Sequence, residues 1–205
     1  MRTHIFSYVI PHDYGFAPNP YGGFLTLATC KPKIRRSARV GDYIAGTGSV
    51  ETVGADRLVY AGKVTAIVPI EDYGRLRKYS LKRPSRRSER WRRYGDNIYH
   101  LVDGDWKQRR NPYHGDDAKN HDLSGVNVLI CDQFWYYGQD AITIPVRLRG
   151  VIKKGPSHKR IREVGLVQRF IDWLESLPDG MIGSTAEDED HNTTTCTRGR
   201  HGEIC

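Results

Sequence analysis

Cys30 has the charge surroundings of a nucleophile: it precedes Lys31-Pro32, with Lys33, Arg35 and Arg36 close behind. Positive charge favours the thiolate, which is the reactive form of the side chain. A lone cysteine at a strand end also reads as a small buried hydrophobe, and both roles stay open. Asp13, a second candidate reactive group, lies with Tyr14 and Asn19 on a stretch stiffened by Pro11, Gly15, Pro18 and Pro20. An Asn amide pairs with base edges and a Tyr ring stacks on base faces. The same residues also make turns by bonding their own backbone. Lys31, Lys33, Arg35 and Arg36 suit phosphate, arginine through paired N–H donors, or form a solvated helix face. Trp135 and Tyr137, within Phe134-Trp135-Tyr136-Tyr137, suit a wall for a splayed base, although strand alternation sends half of such a run into a core.

Other clusters carry less. His114, Asp116, Asp117, His121 and Asp122 could bind a metal or move protons, but their spacing matches no established ligand pattern, which favours a solvated loop. His191, Cys196, His201 and Cys205 are zinc-type ligands at a spacing that fits no common finger. Gly46-Thr47-Gly48-Ser49 lacks the phosphate-loop pattern and reads equally as a hairpin turn. No cofactor motif stands out, and no metal site is expected.

The charge points to a polyanion. The 205 residues carry a formal net charge of +8, and nucleic acid is the usual partner of such a surface. Between positions 75 and 93 stand ten cations against one acid, Glu89, interleaved with Tyr79, Trp91 and Tyr94. Arg83, Arg86, Arg87, Arg90, Arg92 and Arg93 are the candidates for backbone phosphate contact, the plainer reading being a solvated loop. The apolar runs are far too short to span a membrane. The N-terminal stretch makes a poor signal peptide, and the four cysteines show no disulfide framework, so a cytoplasmic, reduced protein is expected.

The elements that must position these residues are mostly strands. His4–Ile10, Phe24–Thr29 and a run starting at Tyr43 read as strands, with a short helix from Pro32 that ends before Gly41. Leu58–Ile70 is the strongest strand signal, with Gly62 as a bulge. Asp103-Gly104 is the turn of a hairpin. Val126–Ile130 and Ile142–Leu148 are further strands, and Arg162–Leu177 is an amphipathic helix stopped by Pro178-Asp179-Gly180. Strands that follow one another without helical crossovers imply an α+β class with a small, mainly antiparallel sheet. One domain over 1–178 is expected, with a basic insertion at about 71–95 and a disordered tail over 179–205.

DYGFAPNPYGGFLTLATCKPKIRRSARVGDYIAGTGS (13–49), YGDNIYHLVDGDWKQ (94–108) and VLICDQFWYYGQDAITIP (128–145) resemble the second of the nucleotide modification associated domains. These are prokaryotic and phage domains named for their gene neighbourhoods among DNA base modification systems. A weaker similarity runs to the EVE, ASCH and YTH group of PUA-like barrels, in which a helix also precedes a Gly-Asp turn. The resemblance implies a role with nucleotides or modified bases and admits a PUA-like barrel as the alternative form of the sheet. The leading expectation is a DNA- or nucleotide-binding domain that recognises or helps process a modified base. Its rivals are an enzyme using Cys30 or Asp13, and a protein-interaction subunit of a modification complex.

Overall fold

The computed structural model describes residues 2–87 and 89–186. In chain order the elements are β1 (Ile5–Ile10), β2 (Leu25–Leu27), α1 (Pro32–Ser37), β3 (Tyr43–Gly48), β4 (Arg57–Lys63), β5 (Ala66–Pro69), α2 (Ile70–Arg75), β6 (Tyr99–Val102), β7 (Asp105–Gln108), α3 (Lys119–Leu123), β8 (Asn127–Cys131), β9 (Gln133–Gly138), β10 (Ile142–Thr143), β11 (His158–Ile161), α4 (Val164–Glu175) and β12 (Gly180–Ser184). Three sheets result. The largest runs β11-β1-β3-β4-β9-β12, with β10 against β4; a second runs β2-β8-β5; β6 and β7 form a hairpin. Most pairs are antiparallel, but β1 with β3 and β9 with β12 are parallel. The fold is α+β, and no closed barrel forms among the described residues, which sets aside the barrel alternative.

Strand alternation divides the interior into three cores. Phe6, Tyr8, Ile44, Tyr60 and Tyr136 face Leu25, Leu27, Leu129 and Ile34, so the large sheet packs on the β2-β8 layer and α1. Their alternates, Ile5, Tyr43, Ala61, Trp135 and Tyr137, meet Val167, Phe170 and Leu174 of α4. That helix has its apolar residues at helical spacing, and its first turn is capped by Glu163, which accepts from the Leu166 N–H at 2.6 Å. The far side of β8, through Val128 and Ile130, carries a third core built from Phe16, Tyr73, Tyr79, Tyr94, Tyr99 and Tyr113. The basic segment is therefore built on buried tyrosines, through α2 and two 3-10 turns at Arg77–Lys82 and Arg90–Tyr94.

Several expectations are corrected. The 58–70 run is two strands in different sheets, because the chain crosses between layers at Val64 and Thr65, whose N–H groups bond Asp42 O and Ile130 O. Gly62 is no bulge: a Cβ there would lie 2.8 Å from Cys131 Sγ, and the irregularity falls at Gly46/Thr47 instead. Gly46, Thr47 and Gly48 lie inside β3 rather than in a turn. After Ile142–Thr143 the chain leaves the sheet at Pro145 and makes a 3-10 turn over Val146–Val151. Gly180–Ser184, placed in a structureless tail, pairs with β9. His191, Cys196, His201 and Cys205 lie outside the described residues.

Candidate active site

Three polar side chains from separate segments meet where α1, α3 and the loop before α3 converge. Cys30 ends the connection from β2 to α1, and both Cys30 and Lys31 adopt left-handed backbone, φ 53° and 40°. Two successive non-glycine residues in that region hold a strain that the surroundings must enforce. The enforcement is visible. The Arg35 guanidinium, buried, donates to Cys30 O (3.0 Å), Asp122 O (2.9 Å) and Asn127 O (2.8 Å). The Cys30 N–H donates to Asp122 Oδ1 at 2.7 Å.

His114 completes the cluster. Its Nε2 lies 3.4 Å from Cys30 Sγ and its Nδ1 lies 2.5 Å from Asp122 Oδ2. The Tyr99 hydroxyl donates to the same Oδ2 at 2.9 Å. Cys30 is 1% exposed, His114 4% and Asp122 0%. Burial works against an imidazolium here, but the facing Cys30 sulfur and Asp122 carboxylate outweigh it and hold the His114 pKa up to about 10. Burial would likewise raise the Asp122 pKa, yet the His114 ring, the Cys30 N–H and the Arg35 charge keep it below the usual carboxylate range. At neutral pH a protonated ring thus stands between carboxylate and sulfur. The same donor set is of metal-ligating type, with one atom from each residue within 4.8 Å of the others. Both Asp122 oxygens already accept hydrogen bonds, Oδ1 from the Cys30 N–H and Oδ2 from Tyr99 and the His114 ring.

The other candidate residues are dispersed. Asp13 is buried, accepts from the Tyr136 hydroxyl at 2.7 Å and lines a cavity of about 170 Å³ with Tyr14. Burial pushes its pKa up to about 6, against the Tyr136 and Gly15 hydrogen bonds. Asn19 does not present an amide to a ligand. Its Nδ2 donates to Gly15 O and Tyr94 O, and its Oδ1 accepts from Lys82 Nζ at 2.9 Å. Lys82, one of the ten cations of the basic segment, is itself buried, and its pKa falls to about 7.

Arg35 is structural rather than phosphate-facing, while Lys33 and Arg36 are exposed and Lys31 lies over the Tyr8 ring. Trp135 and Tyr137 are packed against α4, because alternation along β9 sends them to that face. Arg83 and Arg92 are half-buried and donate to carbonyls of their own segment, Gly74, Arg75 and Ser80. Arg86, Arg87, Arg90 and Arg93 are exposed. His121, Asp116 and Asp117 stay out of the cluster, whereas His114 and Asp122, read as solvated, are its centre. Nothing local in the sequence joins them to Cys30, which lies 84 and 92 residues away.

A family model described as nucleotide modification associated domain 2 matches residues 2–192. No curated protein and no solved structure matches the chain.

Proposed function

The chain belongs to the nucleotide modification associated domain 2 family, and from that premise we propose that it is a thiol enzyme acting on a nucleotide or DNA base in a modification system. The observation that supports this is the Cys30–His114–Asp122 arrangement: sulfur, imidazole and carboxylate in series at 3.4 and 2.5 Å. Nucleophile, proton carrier and orienting acid are the parts covalent catalysis requires. The sulfur, as thiolate beside the protonated ring, adds to an electrophilic carbon, forming a C–S bond, and the Nε2–H proton passes to the atom that takes the displaced electron pair. Water or another acceptor then attacks that carbon. The C–S electrons return to sulfur and the acceptor's proton to His114. Asp122 holds the ring in the tautomer that keeps Nε2 toward the sulfur.

Substrate reaches the sulfur only when its cover moves. Phe16 packs edge-on against His114 at 4.9 Å, and Tyr14 stacks on Tyr113 at 5.3 Å. These residues sit on the Pro-rich 11–20 stretch and on the loop that carries His114, so the reading includes opening of that aromatic cover. The test is the nucleoside composition, by mass spectrometry, of DNA from cells whose modification system carries Cys30→Ala, Cys30→Ser or the unaltered gene. Loss of the modified nucleoside with both folded variants is expected. An unchanged pattern with Cys30→Ala removes the thiol from the mechanism.

A second reading is favoured by a separate observation. Arg75, Arg77, Lys78, Arg86, Arg87 and Arg93 are all exposed along one segment, a surface suited to the phosphate backbone of DNA. It complements the first reading if the substrate is a base within a strand.

A further inference from the structure

We propose that the cavity of about 490 Å³ between the Tyr21 turn, Trp91 and β12 is a nucleobase site, selective for bases that carry an exocyclic amine. Its volume lies within the range of small-ligand sites. Tyr21, Trp91 and Phe134 supply aromatic lining, and Asp132 and Asp179 supply carboxylates. No residue of the Cys30 cluster lines it.

The aromatic side is held in place. Tyr21 and Trp91 stack on each other at 5.3 Å and 25°. The Tyr21 hydroxyl bonds Thr185 Oγ1 at 3.0 Å, and the Trp91 Nε1–H donates to the Glu89 carboxylate. The turn after Tyr21 is made by Gly22 and Gly23, both at positive φ, and a Cβ on Gly23 would meet nothing within 4 Å. A planar ligand therefore finds fixed rings and an open approach, which is how bases are taken up by stacking.

Charge decides the ligand class. Carboxylates accept hydrogen bonds and cannot donate them. They match the amine of adenine, cytosine or guanine, whereas uracil and thymine offer a single N3–H flanked by two carbonyls that the carboxylates oppose. A cation also stands near the aromatic side. Burial and the Asp13 charge raise the Tyr21 pKa, and Arg90 is near enough to act on the same phenol in the opposite sense. Carboxylates in the lining and a guanidinium near the Tyr21 phenol are the charge order of an aminated base with a phosphate attached. A quaternary ammonium would suit the rings but not the nearby guanidinium.

The proposal rests on the nucleotide-directed reading of the chain, not on the thiol. The test is calorimetric titration of the full chain with AMP, CMP, GMP, UMP and choline. AMP, CMP and GMP are expected to bind at least tenfold more tightly than UMP. Trp91→Ala should weaken them tenfold or more and Trp91→Phe much less, and the combined Asp132→Asn, Asp179→Asn variant should erase the preference over UMP. Cys30→Ala should bind as the unaltered chain does. Equal binding of UMP, binding of choline alone, or no binding of any probe overturns the site, whatever the Cys30 variants do to nucleoside composition.

Discussion

Cys30 shows how much chemistry a residue's neighbours in sequence reveal, and how little. The cations around it are legible, yet Arg35 holds backbone carbonyls, and the group 3.4 Å from the sulfur is His114. The pairing has a measurable consequence. An unfolded histidine titrates near 6.5, whereas His114 in the fold titrates near 10. Between those values the folded chain binds the extra proton, so this contribution to stability is complete below pH 6.5 and is lost as pH rises through 10. Asp122→Asn should bring the His114 titration, followed by NMR of the ring protons, down toward neutrality and flatten that dependence. Asp13 behaves in the opposite sense to a paired carboxylate. Its folded pKa of about 6 exceeds the unfolded 3.8, so its burial costs nothing below pH 3.8 and increasingly more as pH climbs to 6. Asp13→Asn should stabilise the protein above pH 6, by up to about 2–3 kcal/mol for a shift of this size, and leave it unchanged below pH 3.8. Denaturant titrations at the two pH values check this.

At the scale of elements, local rules succeed where local chemistry decides. Asp103 and Gly104 both take positive φ, 52° and 84°, as the two-residue hairpin turn requires. The apolar stripe of α4 is buried through Val167, Phe170 and Leu174, as its spacing predicts. The misses arise where tertiary contacts override local preference, as at the layer crossing near Val64 and in β12, whose Gly-Met-Ile-Gly-Ser sequence has little strand character of its own. The junction of α3 with β8 shows the opposite tension. Val126 is 54% exposed and held at φ 53°, a costly backbone for a β-branched residue. The strain serves the turn that delivers Asp122 and Gly125, where a Cβ would strike the Arg35 guanidinium at 2.4 Å. Val126→Asn, which tolerates this backbone, should stabilise the fold by about 1 kcal/mol and raise Tm by roughly 2–4 °C. A lower melting temperature would refute it.

Over the whole molecule, the α+β class was legible because the strands succeed one another without regular crossover helices, but the three-core layering was not. It depends on which strands leave the large sheet, and that is decided by contacts between distant segments. The net charge of +8 was the plainest global signal, and its use is testable at this scale. If exposed Arg86, Arg87 and Arg93 each meet a phosphate, replacing all three by Gln should weaken duplex DNA binding alike for every sequence. It should also reduce the slope of log K against log salt by roughly 2–3. An unchanged slope would put the contact elsewhere. The wide separation of Cys30 from His114 and Asp122 has a further consequence, in time rather than space. On a ribosome adding about 5–20 residues per second, Cys30 is made several seconds before either partner exists, and no shorter stretch of chain can assemble the cluster. The nascent protein therefore carries an ordinary thiol, and any reactivity of that sulfur is switched on by the completion of folding itself.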